Sequence, residues 1–247
     1  MREEAFGNLL PLHDKPSNRN KEMFNKIRNL FAVLGVILLT VSPTLAQNSV
    51  HIEQVGSTNT VSITQIGNTN RVGTAQSPST ITGSNNTLTT TQTGDANIID
   101  YDLIGSGNTV TKTVTGDTNQ ITFNCGNNTT ACTAVNSTMT IAGDINTVTS
   151  TIRGSNITNT LSITGNSNAV TQTITTNLSS SGITILGDSN TVTSSMTGAS
   201  AGAGHILVAA ITGTSNTHSI TQHGTADTSV NLVTTGNSNA VTISTGR

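Results

Sequence analysis

The stretches Gly143-Asp144-Ile145-Asn146-Thr147-Val148-Thr149, Gly165-Asn166-Ser167-Asn168-Ala169-Val170-Thr171 and Gly187-Asp188-Ser189-Asn190-Thr191-Val192-Thr193 repeat one pattern every 22 residues. A Gly-x-x-Asn tetrad comes first, followed by a run in which β-branched and small polar residues alternate. Period-two alternation in a Val- and Thr-rich run predicts a strand with one face inward. The tetrad predicts a turn, in which Gly supplies a conformation with positive φ and Asn tolerates such a conformation or bonds its own backbone.

Working outward, the tetrad also begins at Gly56, Gly67, Gly83, Gly94, Gly105, Gly116, Gly213 and Gly236. From Gly83 through Gly94 and Gly105 to Gly116 the interval is 11 residues, and Asn86, Asn97, Asn108 and Asn119 keep it. Each 11-residue unit reads as one strand plus one turn, and two units make a coil of about 22 residues. The expected architecture is all-β: a β-solenoid of about eight stacked coils, whose core is shared between neighbouring coils. Five positions past each Gly stand Val61, Val72, Leu88, Ile99, Val110, Ile121, Val148, Val170, Val192 and Val241, the expected inward row. Stacking at roughly 4.8 Å would set Asn146, Asn168 and Asn190 above one another as an amide ladder.

Three segments break the register, and all three are expected to project as loops. One surrounds Pro78, one is Phe123–Asn136 with Cys125 and Cys132, and one spans residues 198–212.

The first 46 residues differ chemically from the rest. Lys21, Lys26 and Arg28 precede the apolar run Leu30–Val41, which Pro43-Thr44-Leu45-Ala46 closes with small residues. This is the form of a secretory leader cut after Ala46, and the apolar run is short for a bilayer span. The expected organisation is therefore residues 1–46 as extension and signal peptide, and 47–247 as a single repeat domain. The remaining chain holds four cations and eight acids, for a net charge of 4 − 8 = −4. So few cations argue against nucleic-acid binding. Tyr101 and Phe123 are its only aromatics and Pro78 its only proline. The first fact argues against an ordinary globular core and the second against disorder.

The stretch Ile52–Asn70 contains Gln54-x4-Asn59-x5-Gln65-x4-Asn70, with Gly56 and Gly67 each two residues after a Gln; Gln92-x4-Asn97 repeats part of it. This resembles the curlin repeat, the building unit of bacterial curli. The match is specific at residues 52–70 and looser afterwards, where Val114, Ile152, Ile163 or Ile174 takes the Gln position. The resemblance implies a secreted subunit that polymerises at the cell surface into amyloid fibres of biofilm matrix and adhesion. It also implies self-association as the main partnership, with a curli-type nucleator and an outer-membrane secretion channel beside it. The turn and ladder residues would be Gly56, Asn59, Gly67, Asn70, Gly94, Asn97, Gly105, Asn108, Gly116, Asn119, Gly143, Asn146, Gly165, Asn168, Gly187 and Asn190, with Gln54, Gln65 and Gln92 as the repeat glutamines.

Other chemistry is sparse. Cys125 and Cys132 are expected to form a disulfide, as paired cysteines in secreted chains do. The scattered His205, His218 and His223 do not form a zinc pattern. Asp95, Asp117, Asp144 and Asp188 follow turn glycines and are expected to stabilise turns. Neither a catalytic triad nor a phosphate loop occurs at a recognisable spacing, so an enzyme and a cofactor are not expected. Lys112 falls on an inward position. Two alternatives to the fibre stand: a non-polymerising surface adhesin, and an ice-binding solenoid using rows such as Thr109-Thr111-Thr113 and Thr147-Thr149-Thr151. Secreted protein should begin near Gln47; an intact mass that retains residues 30–41 would contradict the leader.

Overall fold

A computed structural model describes residues 47–198 and 204–246. The expected leader lies outside the described residues. Every regular element within them is a strand, and all strands pair in parallel. One sheet has eight strands, giving eight coils; the facing sheet has twelve because some of its strands are split. The β-solenoid read from the repeat is therefore the fold.

One coil shows how the sequence produces it. Thr158–Thr164 runs along the eight-strand sheet, Gly165–Asn168 turns the first corner, and Ala169–Thr175 returns in the twelve-strand sheet. Residues 176–179 turn the second corner into Ser180–Leu186, which lies directly above Thr158–Thr164. Alternate side chains face inward, so Leu161, Ile163, Val170 and Ile174 are buried, while Thr158, Thr160, Thr171 and Thr164 face water. Each fully buried Val, Leu or Ile contributes about 1.5–3 kcal/mol of transfer free energy.

Stacked residues lie 22 apart where coils are regular (Asn146 to Asn168), and 27, 26 or 23 apart where a loop is inserted. The loop at Pro78 projects as expected, and the other two segments differ from the sequence expectation. The loop at Pro78 interrupts a strand: Arg71–Val72 and Ser79–Thr82 both pair with Ile98–Ser106, so the insertion bulges from one wall of the coil. In the second, Phe123 and Cys125 belong to the strand Gln120–Cys125, and only residues 126–131 leave the stack before Cys132–Thr133 pairs with Gly105 and Ser106. In the third, Ile206–Thr212 is a full core strand, because Leu207, Ala209 and Ile211 keep the inward alternation.

The turn also differs. Gly165 has φ of 130°, and a Cβ there would collide with the carbonyl oxygen of Gly187 in the next coil. Its absence allows the corners to stack. The left-handed residue, however, is the one before Asn, not Asn itself: Ser167 at φ 57°, Ser189 at 58° and Ile145 at 60°. The Asn is thereby freed to point inward. Ile145 is a poor occupant, being β-branched in a conformation that costs L-residues roughly 1–2 kcal/mol, and it is exposed. Ile145→Asn is expected to stabilise the fold by about 1 kcal/mol, read as a higher midpoint in denaturant at unchanged slope. An unchanged or lower midpoint would contradict the strain.

Candidate functional site

The tetrad asparagines divide between the two corners. At the first, Asn48, Asn70, Asn97, Asn119, Asn146, Asn168, Asn190, Asn216 and Asn239 stack in one column. Asn168 shows the chemistry. Its Nδ2 donates to Asn146 Oδ1 at 3.0 Å and to the Gly187 carbonyl at 2.9 Å. Its Oδ1 accepts both the backbone N–H and the Nδ2 of Asn190, each at 3.0 Å. A carboxamide has two donors and two acceptor lone pairs, and here all four are used inside a buried corner. The column is directional, because from Asn97 to Asn239 each Nδ2 donates to the previous coil's Oδ1. At the last described rung, Asn239 Oδ1 has no partner.

At the second corner Asn59, Asn86 and Asn108 form the same arrangement. Asn108 Oδ1 then accepts the backbone N–H of Val135, and the column continues as Val135, Ile157, Ser179 and His205. No carboxamide stands at these inner positions, two of them apolar and two polar, and the amide ladder stops there. The Asn residues named in the sequence thus belong to two columns. Asn48 was not anticipated, since no Gly precedes it by three residues.

The glutamines also separate. Gln65 stacks on Gln92, with Nε2 donating to Gln92 Oε1 at 2.8 Å, and Gln92 Nε2 donates to the Asn97 carbonyl at 3.0 Å. Gln54 lies in the other sheet, beside Ile81. Outside the ladder, the residues after the corner glycines make a second column. Asp95, Asp117, Asp144, Asn166 and Asp188 each accept the backbone N–H of the coil before, at 2.6–2.8 Å. This is the turn-stabilising contact in a form that links coils.

Cys125 and Cys132 are joined by a disulfide and are wholly buried. It closes a loop in which Asn127 Oδ1 accepts the N–H groups of Thr129 and Thr130. Under the Ser77–Pro78 bulge, a pocket is lined by Thr80, Asp100, Asp102 and Asn124, and the Thr80 hydroxyl donates to Asp102 at 2.6 Å. Among the described residues no three His, Cys, Asp or Glu side chains converge. No helix among them is long and apolar enough to cross a membrane. Thr109-Thr111-Thr113 and Thr147-Thr149-Thr151 lie on opposite sheets.

Lys112 is buried completely between Thr90 and Met139. Its Nζ donates to Ser137 Oγ at 3.2 Å and lies 3.9 Å from the Phe123 ring centre. No carboxylate faces it. A ring face offers a cation about 2 kcal/mol, whereas removing an ammonium from water costs several. Burial wins and holds the amine well below its ordinary pKa, so folding disfavours the charged form. The unfolded chain binds that proton up to about pH 10.4, so this site weakens the fold progressively as pH falls below that value.

No family model, no curated protein and no solved structure matches this chain.

Two predictions follow from these contacts. Asn168→Ala removes two donors and two acceptors from neighbouring coils and should cost at least about 3 kcal/mol, whereas Asn128→Ala on the exposed loop should change stability by less than about 0.5 kcal/mol. Equal losses in denaturant melts would contradict the ladder. Lys112→Met should stabilise the fold at pH 7 by about 1–4 kcal/mol, with the gain shrinking as pH approaches 10. A pH-independent gain, or a loss, would contradict the downward shift that burial imposes on the amine.

Proposed function

We propose that this protein is a secreted structural subunit that self-assembles end to end into cross-β fibres of the curli kind, serving biofilm matrix and surface adhesion. The observation that carries the reading is the pair of open coil faces. Among the described residues nothing covers Ser49–Val50, Ile52–Val55 and Thr60–Ile66 at one end, or Ser229–Thr235 and Ala240–Gly246 at the other. Uncovered strand edges recruit further strands. The inward residues at the two ends are also of one kind: Val50, Ile52, Val61 and Ile63 against Val230, Leu232, Val241 and Ile243. If the stack continued in register into a second copy, Val230 would meet Val61, Leu232 would meet Ile63 and Val241 would meet Val50. The unpartnered Asn239 Oδ1 would then face the backbone N–H of the neighbour's Asn48.

The Gln65–Gln92 stack is in keeping with the repeat glutamines of the curlin-like reading, and the low charge and single proline of residues 47–247 favour strand addition. A nucleator and an outer-membrane channel are the partners this reading entails. Purified mature protein should form thioflavin-positive fibres, seeded by fragments, with a meridional reflection near ~4.7 Å. Proline at Ile63 or Val241 should slow growth more than proline at Thr129 in the disulfide loop. A chain that stays monomeric for days with seeds present would overturn the proposal.

A further inference from the structure

His218 interrupts a row that is otherwise aliphatic. From Val72 onward, all coils of the twelve-strand sheet except that of His218 place Val or Ile at this inward position, through Val148, Val170 and Val192 below it and Val241 above it. The imidazole is 1 % exposed. Its Nε2 lies 2.9 Å from the hydroxyl of Thr234, which stands one coil later in the opposing sheet. Nδ1 is buried with no hydrogen-bond partner. In the neutral ring, one nitrogen bonds Thr234 and the other is bare. In the protonated ring both nitrogens carry protons, and among the described residues the one hydrogen-bond contact of the ring is with Thr234 Oγ1.

Nothing nearby would hold that charge. The strands packed around His218 are Thr191–Thr197, Ile206–Thr212, Ser229–Thr235 and Ala240–Gly246, and none carries an ionisable side chain. The adjoining corner residues 213–216 and 236–239 carry none either. Asp188 is exposed at the corner of the preceding coil, where its Oδ1 accepts the Asn166 N–H. His223 is exposed at the far end of the same strand. His205 and Asp227 belong to the opposite corner, where both ring nitrogens of His205 have partners, Thr228 and the Thr197 carbonyl.

We propose that His218 is an acid-sensitive latch on the last coil: protonation breaks the His218–Thr234 contact in favour of water and releases residues 229–246 from the stack. The release needs only this chain. Its consequence, withdrawal of the face at which a second copy docks, rests on the fibre-forming reading above. Burial of the ring holds its pKa below the ordinary imidazole value. The closed coil therefore resists a proton that the opened coil accepts. The stability this site provides is complete above about pH 6.5 and is lost as pH falls through the lower folded value.

The test is hydrogen exchange on the monomeric mature protein at pH 7.5 and pH 5.0, corrected for intrinsic rates. In the wild type, opening of residues 229–246 should increase at pH 5.0 by up to about thirtyfold, the limit for a ring of ordinary pKa 6.5 that binds its proton only when open. Protection at the central strands 147–175 serves as the internal reference. Lys112 sits in a distant coil, and its titration acts on global unfolding rather than on this local opening. His218→Val, which restores the aliphatic row, and His218→Gln, which stays polar but cannot charge, should both abolish the acid increment. An acid increment of equal size in either variant, or none in the wild type, would overturn the latch. Seeded growth at the two pH values reads the consequence separately. Local release without fibres at either pH would defeat the assembly reading and leave the latch standing. Fibres whose growth and terminal exchange ignore His218 would do the reverse.

Discussion

The carboxamide column at the first corner is the contact on which the rest of the solenoid depends. A tight turn buried between coils leaves backbone carbonyls with no strand partner, and leaving buried carbonyls unpaired would cost about 1–3 kcal/mol each. Each Asn removes the problem by bonding a corner carbonyl of the next coil, while its Oδ1 receives the next coil's N–H and Nδ2. Because donors and acceptors balance, the unit can repeat without accumulating an unsatisfied group. It also fixes the register, since a slip of one residue at Asn168 would put Ser167 or Ala169, neither of which can make all four bonds, where the amide must be.

With the corners fixed this way, the interior tolerates unusual occupants. Ser137, Asn159 and Ser181 form one inward row, and Ser150, Gln172 and Ser194 form another. They are bridged in part by Gln172 Nε2 to Ser181 Oγ at 2.6 Å and Asn159 Nδ2 to Ser137 Oγ at 3.4 Å. A globular core of this composition would be weak. Here each side chain is held between identical backbones above and below. Lys112 and His218 are the ionisable extremes of the same tolerance. Both make the fold less stable at low pH, the first globally and the second at the end of the stack.

Much of this architecture was legible in the residues. The 11-residue interval gave the strand and turn lengths, and the alternation after each Asn marked Val110, Val148 and Val170 as inward. Four features were not legible, each for a physical reason. Two corners use the same tetrad, so sequence spacing alone could not separate Asn59, Asn86 and Asn108 from the longer column. The left-handed position is occupied at several corners by Thr, Ala, Leu and even Ile, which have no turn signature; beside most of them the constraint comes from the buried Asn. Residues 198–212 lack the tetrad spacing, which hid the strand Ile206–Thr212, although Leu207, Ala209 and Ile211 keep its alternation. The pocket at Asp100 and Asp102 depends on a bulge whose position within a strand no local pattern marked.

The account rests on both Nδ2 protons of each ladder Asn being engaged within the stack. Side-chain amide exchange, measured by nuclear magnetic resonance on the monomeric chain, reads this directly. The carboxamide protons of Asn97, Asn119, Asn146, Asn168, Asn190 and Asn216 should exchange far more slowly than those of Asn128, as slowly as the backbone amides of the adjoining strands. Ladder carboxamides that exchange at the rate of Asn128, in a chain whose strand amides stay protected, would contradict the column as the organising contact.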